Sequence, residues 1–391
     1  MPIINIGQID KKLIIPIFGG LIKLLSKKIF YMNPNYEIII QNPLIISICY
    51  YLGMILTFIP YLIFLNQSKK KKNQDKSVNK DKRNKSQFEI KYEYYDIDKK
   101  LKINKYKLLF ISSMFDFLET LIMDTFCNYC LYNLWILNNI FISLFSFFIL
   151  KTKLYKHQYF SKIVIVILGI LLNIIEYKTN QIIDFSEIFA KLVGEFLFCI
   201  SIVINKYNME KNYCTPYEIC FWEGIINIIL CIICLIIFNL IGIKIIKNEY
   251  PKNIIEYYNK FNISDSLIIL SLIISGFVYN LFIYTTCDYY NPNYTLILVI
   301  IHELYPFLDF NKDVILNIIC ILILLFILFM VLVFIEIIEL NFWGLSKFTK
   351  KNIGIRADSE INIDTNENTF DNTSDIIIGE EEKKQELLFD V

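Results

Sequence analysis

From Val314 to Ile335 the chain runs for 22 residues without a charge, almost all of them Ile, Leu, Val, Phe, Cys or Met. At ~1.5 Å of rise per residue such a run matches the ~30 Å hydrocarbon thickness of a bilayer, so it reads as a membrane-spanning helix. A helix satisfies its backbone polar groups within the segment, which lipid demands. Ile38–Leu65, Thr125–Leu150 and Ser266–Cys287 are equally free of charge. The expected fold class is therefore an all-α, polytopic membrane protein.

Composition agrees. The chain is 55% hydrophobic with a mean hydropathy of +0.47, too apolar for an ordinary soluble domain. Runs of this length suit helices and not barrel strands. A formal net charge of +1 gives no global field for nucleic acid, which is not expected as a partner. Cys199, Cys231, Cys234 and Cys320 lie inside apolar runs, where cysteine acts as a small hydrophobe. The CxxC spacings Cys127/Cys130 and Cys231/Cys234 fall within spans, and with two histidines in the whole chain no zinc site, other metal or cofactor is expected. Asp10, Lys11 and Lys12 interrupt the first apolar stretch, so a cleavable signal peptide is not expected and the first span would act as its own insertion signal.

Ten candidate spans can be read: Ile3–Leu25, Ile38–Leu65, Leu108–Tyr129, Leu131–Leu150, Phe160–Glu176, Phe185–Asn205, Ile219–Ile243, Leu267–Cys287, Tyr294–Leu308 and Val314–Ile335. The first holds the charged trio, the sixth holds Glu187, Lys191 and Glu195, and the ninth is short. In the second, Pro43 and Pro60 are positioned to trim or kink the helix. The chain thus divides into spans one and two (1–65), a basic disordered loop (66–107), spans three to five (108–176), spans six to ten (185–343) and a disordered tail (344–391).

Basic residues fix the expected orientation. Gln67–Lys107 carries fifteen Lys or Arg against six acids, the link Lys151–His157 is short and basic, and Lys347, Lys350 and Lys351 open the tail. With both termini cytosolic, all three fall on the cytosolic side, as the positive-inside rule requires. The basic stretch 69–107 beside a membrane is either a solvated linker or a contact for anionic lipid.

Thr125-Phe126-Cys127-Asn128-Tyr129 at the end of span three is echoed by Thr286-Cys287-Asp288-Tyr289 at the end of span eight, five spans later. A duplicated unit with an odd number of spans inserts in opposite orientations and gives inverted pseudo-symmetry. Further short matches occur in order: Gly19-Gly20 with Lys27, Gln41-Asn42-Pro43 then Leu52-Gly53, Phe115-Asp116, Leu144-Phe145-Ser146, and Pro216 followed by Trp222-Glu223-Gly224. On these residues the stretch from Gly19 to Ile335 resembles the drug/metabolite transporter superfamily, nearest to the F-type branch of solute carrier family 35. The resemblance implies ten helices in two inverted five-helix repeats, an endomembrane location (Golgi, endoplasmic reticulum, lysosome or vacuole) and transport of nucleotide sugars or similar metabolites. The chain departs from that branch at Asn133 and Trp135, where Gln and Arg are usual, and at His302-Glu303, where an Arg is usual. Substrate identity is therefore not carried over.

Ionisable side chains at bilayer depth cost ~2.5–3.5 kcal/mol each on insertion scales, so each needs a partner or a cavity. Asp116 and Glu119 share one helical face, where they either bind a cationic group or coupling proton or sit hydrated near the interface. Glu223 is either functional or a carboxylate favoured at a helix N-terminus, with Gly224 allowing close approach. His302 and Glu303 form either a relay or the wet end of a span that barely inserts. Asn128, Asn138, Asn139, Asn227 and Asn280 line a pore or hydrogen-bond between helices, and Tyr279 and Tyr284 stack on a ring or pack.

The expected function is secondary transport of an organic metabolite by alternating access. The expected partners are a small organic solute and the lipid bilayer, with a second copy of the chain as a further candidate. The alternatives are a non-transporting membrane scaffold, read through its charged loop and tail, and a multi-pass transferase. No H-x-x-x-D or H-E-x-x-H pattern supports the latter, and an enzyme is not expected.

Overall fold

The computed structural model describes residues 4–6, 14–31, 43–66, 87–126, 134–152, 154–180, 185–241, 263–304 and 314–340. Asn128, Asn133, the stretch 67–86 and the tail 341–391 lie outside the described residues.

Each of the ten apolar stretches falls on a helix. These are α1 Ile14–Tyr31, α2 Pro43–Ile55, α3 Gln87–Phe126, α4 Asn138–Ile149, α5 Lys156–Asn180, α6 Phe185–Asn212, α7 Pro216–Ile241, α8 Ile263–Tyr289, α9 Thr295–His302 and α10 Val314–Phe334. A 3₁₀ turn precedes α4 (Leu134–Leu137), and another precedes α9 (Pro292–Tyr294). Among the described residues, five segments are long and apolar enough to cross a membrane: Ile46–Asn66, Lys156–Ile175, Pro216–Ile237, Ser266–Tyr289 and Val314–Phe334. The helices α1, α4 and α9 are apolar but shorter.

The boundaries depart from the sequence reading in two places, at the first and third helices, and the second span breaks where Pro60 was expected to kink it. The first span does not begin at Ile3. Ile4–Ile6 is a short strand, β1, paired antiparallel with β2 (Ile338–Leu340) in the register Asn5 opposite Glu339, and helix starts only beyond Asp10-Lys11-Lys12. This pair is the exception, among the described residues, to an all-helical chain. The second span breaks at Leu56–Thr57, after which helix resumes over 58–66. Pro60 has no N–H to give the Leu56 carbonyl, which accepts from Ile59 N instead at 3.1 Å. The third helix begins at Gln87, inside the stretch read as a disordered loop, because 87–126 contains no Gly or Pro to end it.

Packing pairs the helices in a regular way. α3 packs on α6 and α8 on α1; α4 packs on α6 and α9 on α1; α2 packs on α8 and α7 on α3. α2 also packs on α7, and α5 on α10. α2 and α8 approach each other closely. A Cβ at Gly53 would overlap the Ile273 carbonyl oxygen, and one at Gly276 would overlap that of Tyr50. Glycine at both points lets the two backbones touch, as small residues do between helices in lipid. One apolar cluster joins α5, α9 and α10 (Ile165, Leu172, Ile297, Leu324, Phe334). A second joins α2, α3, α6, α7 and α8 (Tyr51, Phe117, Ile202, Ile219, Ile283).

The outside of the bundle is apolar too. On α5, Ile163, Ile167, Ile170, Leu171 and Ile174 are exposed, while Ser161, Ile165 and Leu172 on the other face are buried. On α10, Ile315, Ile318, Ile319, Leu322 and Leu325 form the same kind of stripe. Apolar stripes of this extent suit lipid and not water.

Polar contacts join the middle of α3 to the start of α7 (Lys105 Nζ to Glu218 Oε2, 2.7 Å) and the end of α6 to the end of α8 (Lys206 Nζ to the Asp288 carbonyl, 3.2 Å). They also join the start of α5 to the residue after α10 (His157 Nε2 to Glu336 Oε1, 3.2 Å). The links after α4, α6 and α8, the part of α3 around Lys105 and the end of α10 are thereby tied together in pairs. The sequence reading puts all of these on one side of the membrane.

Candidate functional site

Six carboxylate or ammonium side chains, most of them on helices whose polar residues recur at three- and four-residue spacing, line one cavity. On α3, Asp116, Glu119, Thr120 and Met123 are spaced three and four apart and so share a face. On α6, Lys191, Glu195 and Phe198 do the same, and on α2 Ser47 and Tyr50 lie three apart. On α8, Leu272, Tyr279 and Asn280 recur at two-turn spacing; Lys23 comes from α1 and Glu303 from the turn after α9. These faces enclose a cavity of about 330 Å³. Its wall also includes Asn138, and Trp135 from the 3₁₀ turn before α4.

The groups are held by specific bonds. Asn227 on α7 donates from Nδ2 to Asp116 Oδ2 at 2.7 Å. Thr120 Oγ1 lies 3.2 Å from Glu119 Oε2 and is 2.8 Å from the Tyr51 hydroxyl, which donates to it. Asn138 Nδ2 donates to Glu195 Oε2 at 2.7 Å, tying α4 to α6. Asn280 Nδ2 donates to the Gly276 carbonyl at 3.0 Å. The Lys23 ammonium stands over two rings, 4.5 Å from the Tyr50 centroid and 4.7 Å from that of Tyr279. Charge inside the bundle is thus met by amides, hydroxyls and aromatic faces, which lowers the cost of removing it from water.

Of the residues singled out from sequence, Asp116, Glu119, Asn138, Asn280, Tyr279 and Glu303 line this cavity. Glu223 does not line it. It is fully buried on α7, where Asn205 Nδ2 donates to Oε1 at 2.7 Å and the Tyr284 hydroxyl donates to Oε2. Glu223 nevertheless lies one turn from Asn227, so one stretch of α7 holds its own carboxylate and serves that of Asp116. Gly224 beside it faces α2: a Cβ there would meet Ile55 N, Met54 Cβ and the Tyr51 carbonyl at 3.0 Å.

Asn139 belongs to a different place. Its carbonyl accepts from Lys162 Nζ at 2.7 Å, and Lys162, buried on α5, also reaches Asn293 Oδ1 at 3.4 Å and the Phe334 ring at 4.8 Å. The Asn139 side-chain amide has no hydrogen-bond partner among the described residues. His302 is the last residue of α9, and its side chain lies outside the described atoms, as does the whole of Asn128.

Sequence reasoning did not assign Lys23, Lys191, Glu195, Tyr50 or Trp135 to the site. The signal was present for three of them: Lys23, and the Lys191/Glu195 pair at four-residue spacing, are charges inside apolar runs, which membrane burial tolerates only with a partner or a cavity. Trp135 contributes an aromatic face to the cavity wall.

No family model matches the chain, and no curated protein is significantly similar to it.

Proposed function

We propose that the chain is a secondary transporter of a small organic solute, built of ten membrane helices as two inverted five-helix repeats. The observation that carries this reading is the polar cavity of about 330 Å³ lined from both halves of an otherwise apolar bundle. Ionisable groups at membrane depth need a partner or a cavity, and the volume of this one suits a metabolite.

The helix pairing supports the repeat. Adding or subtracting five exchanges α3/α6 with α8/α1, α4/α6 with α9/α1, and α2/α8 with α7/α3, and maps α2/α7 and α5/α10 onto themselves. The 3₁₀ turns before α4 and α9 also stand five helices apart. Of the helices that reach the cavity, α1 with α6, α3 with α8 and α4 with α9 are exchangeable pairs; α2 also reaches it whereas α7 does not, and α5 and α10 lie outside. Rocking of the two halves about this space gives alternating access. Asp116, with Glu119 beside it, is the natural point for a coupling proton or a cationic substrate group.

The test is two-sided accessibility. Asn280→Cys and Ser47→Cys are labelled with a charged, membrane-impermeant thiol reagent in sealed vesicles of each orientation. Labelling from both faces is expected of a transporter. Labelling from one face alone, in both variants, overturns the reading in favour of a fixed scaffold.

A further inference from the structure

Lys23, Tyr50 and Tyr279 point to the chemistry of the solute. The Lys23 ammonium is placed between two tyrosine rings, at 4.5 Å and 4.7 Å from their centroids. Aromatic faces around a cation are the means by which proteins hold organic ammonium groups. The rings come from α2 and α8, whose backbones touch at Gly53 and Gly276, so the clamp of two rings is positioned by a close backbone contact. It is therefore built into the fold and does not depend on Lys23 to form.

The rest of the wall has the matching sign. Asp116, Glu119, Glu195 and Glu303 supply four carboxylates, against the two ammonium groups of Lys23 and Lys191. Carboxylates in excess, an aromatic clamp and a volume well beyond that of one ammonium head together fit a cationic guest. An anionic one, such as a nucleotide sugar, would place its phosphates against these carboxylates. Lys23 itself sits on a flexible four-carbon stem. When its head leaves the rings, the cavity carboxylates give it other partners.

We propose that the cavity binds an organic cation, an amine or quaternary ammonium on a small body, with its charged head between Tyr50 and Tyr279, where it displaces Lys23. This rests on the reading of the chain as a carrier of small solutes and names the class of solute. Lys23 is then a tethered competitor. It occupies the clamp in this structure, lowers the affinity for the guest, and moves when the guest arrives.

The full chain, purified in detergent, is titrated with tetraethylammonium, spermidine, glucose and uridine diphosphate glucose. Binding is read from tryptophan emission, to which Trp135 in the wall contributes, and from thermal shift. The cations are expected to bind and the nucleotide sugar is not. Lys23→Gln is expected to tighten cation binding about tenfold, Tyr279→Leu to weaken it about tenfold, and Tyr279→Phe to leave it near the original value. Binding of uridine diphosphate glucose without the cations, binding of none of the four, or a Lys23→Gln variant that binds cations no better would each overturn the proposal. Wild type and Lys23→Gln decide the matter even if the tyrosine variants fail to fold. The two-sided labelling of Asn280→Cys separates the failures. Labelling from both faces without cation binding leaves the transporter and removes the cation, whereas labelling from one face removes both.

Discussion

The Asn227 amide on α7 reaches across to Asp116 on α3 and donates to its Oδ2 at 2.7 Å. This bond fixes a carboxylate that also faces the cavity, and it comes from a residue that does not line it. Asn227→Ala is expected to leave the carboxylate short of a donor and to cost about 1–3 kcal/mol of stability. Chemical denaturation in detergent micelles measures this. An unchanged midpoint would show that the Asp116 carboxylate does not rely on Asn227.

Glu223 joins Asn205 and Tyr284 through one carboxylate, with each donor on a separate oxygen. Asn205→Ala and Tyr284→Phe are each expected to cost about 1–2 kcal/mol. Because both act on one buried group, their effects should not add; the coupling expected from a shared network is about 0.5–3 kcal/mol. A double-mutant cycle on the thermal midpoint reads it. Strict additivity would mean that the two donors act independently of Glu223.

The α2–α8 contact predicts a sharp position effect. Gly276→Val must push a side chain into the backbone of Tyr50 and is expected to destabilise by about 1–3 kcal/mol, with Tyr50 and Tyr279 forced apart. Ile163→Val on the exposed stripe of α5 should change the melting temperature far less. Size-exclusion monodispersity after stepwise heating compares the two. Equal tolerance at both sites would show that the helices do not meet at Gly276.

The pairing of helix ends predicts sidedness. Tyr213, in the link between α6 and α7, and Lys151, in the link after α4, are both exposed. Tyr213→Cys and Lys151→Cys should react with an impermeant maleimide from the same side of the membrane. The neighbouring native Cys214 should stay unlabelled at neutral pH, because burial pushes its thiol up to about 12 and leaves little thiolate. Labelling of the two new cysteines from opposite sides would break the even-link topology.

How much of this was legible beforehand differs by element. The ten apolar runs all fall on helices, because run length and charge act locally and a bilayer-scale apolar run has few other solutions. Chain ends and breaks were harder. The strand at Ile4–Ile6 depends on a partner more than three hundred residues away, Ile338–Leu340, and no local pattern announces that. The helical start at Gln87 was hidden by charge density, which suggested a loop where the absence of Gly and Pro lets the helix run on. Pro60 marked its break correctly, since a missing N–H is a local fact.

The candidate site shows the same division. Asp116, Glu119, Asn280 and Glu303 stood out because a polar group inside an apolar run is costly wherever it lies. Tyr50 did not, because aromatic residues are ordinary in membrane helices and become a wall only through their neighbours. Glu223 carries a signal as strong as that of Asp116, yet it is buried against Asn205 and Tyr284 and not beside the cavity.

The sequence by itself determined that the chain is mainly helical, that several of its helices are apolar at membrane length, and which polar residues lie inside apolar runs. Those follow from the transfer of side chains and backbone groups out of water, which each segment settles alone. The tertiary structure decided which of those polar residues meet. Placing Lys23 between Tyr50 and Tyr279, or Asn227 against Asp116, requires helices far apart in sequence to be packed at a fixed rotation and depth. That rotation is set by contacts such as Gly53 and Gly276 between α2 and α8, and no single run of sequence contains it.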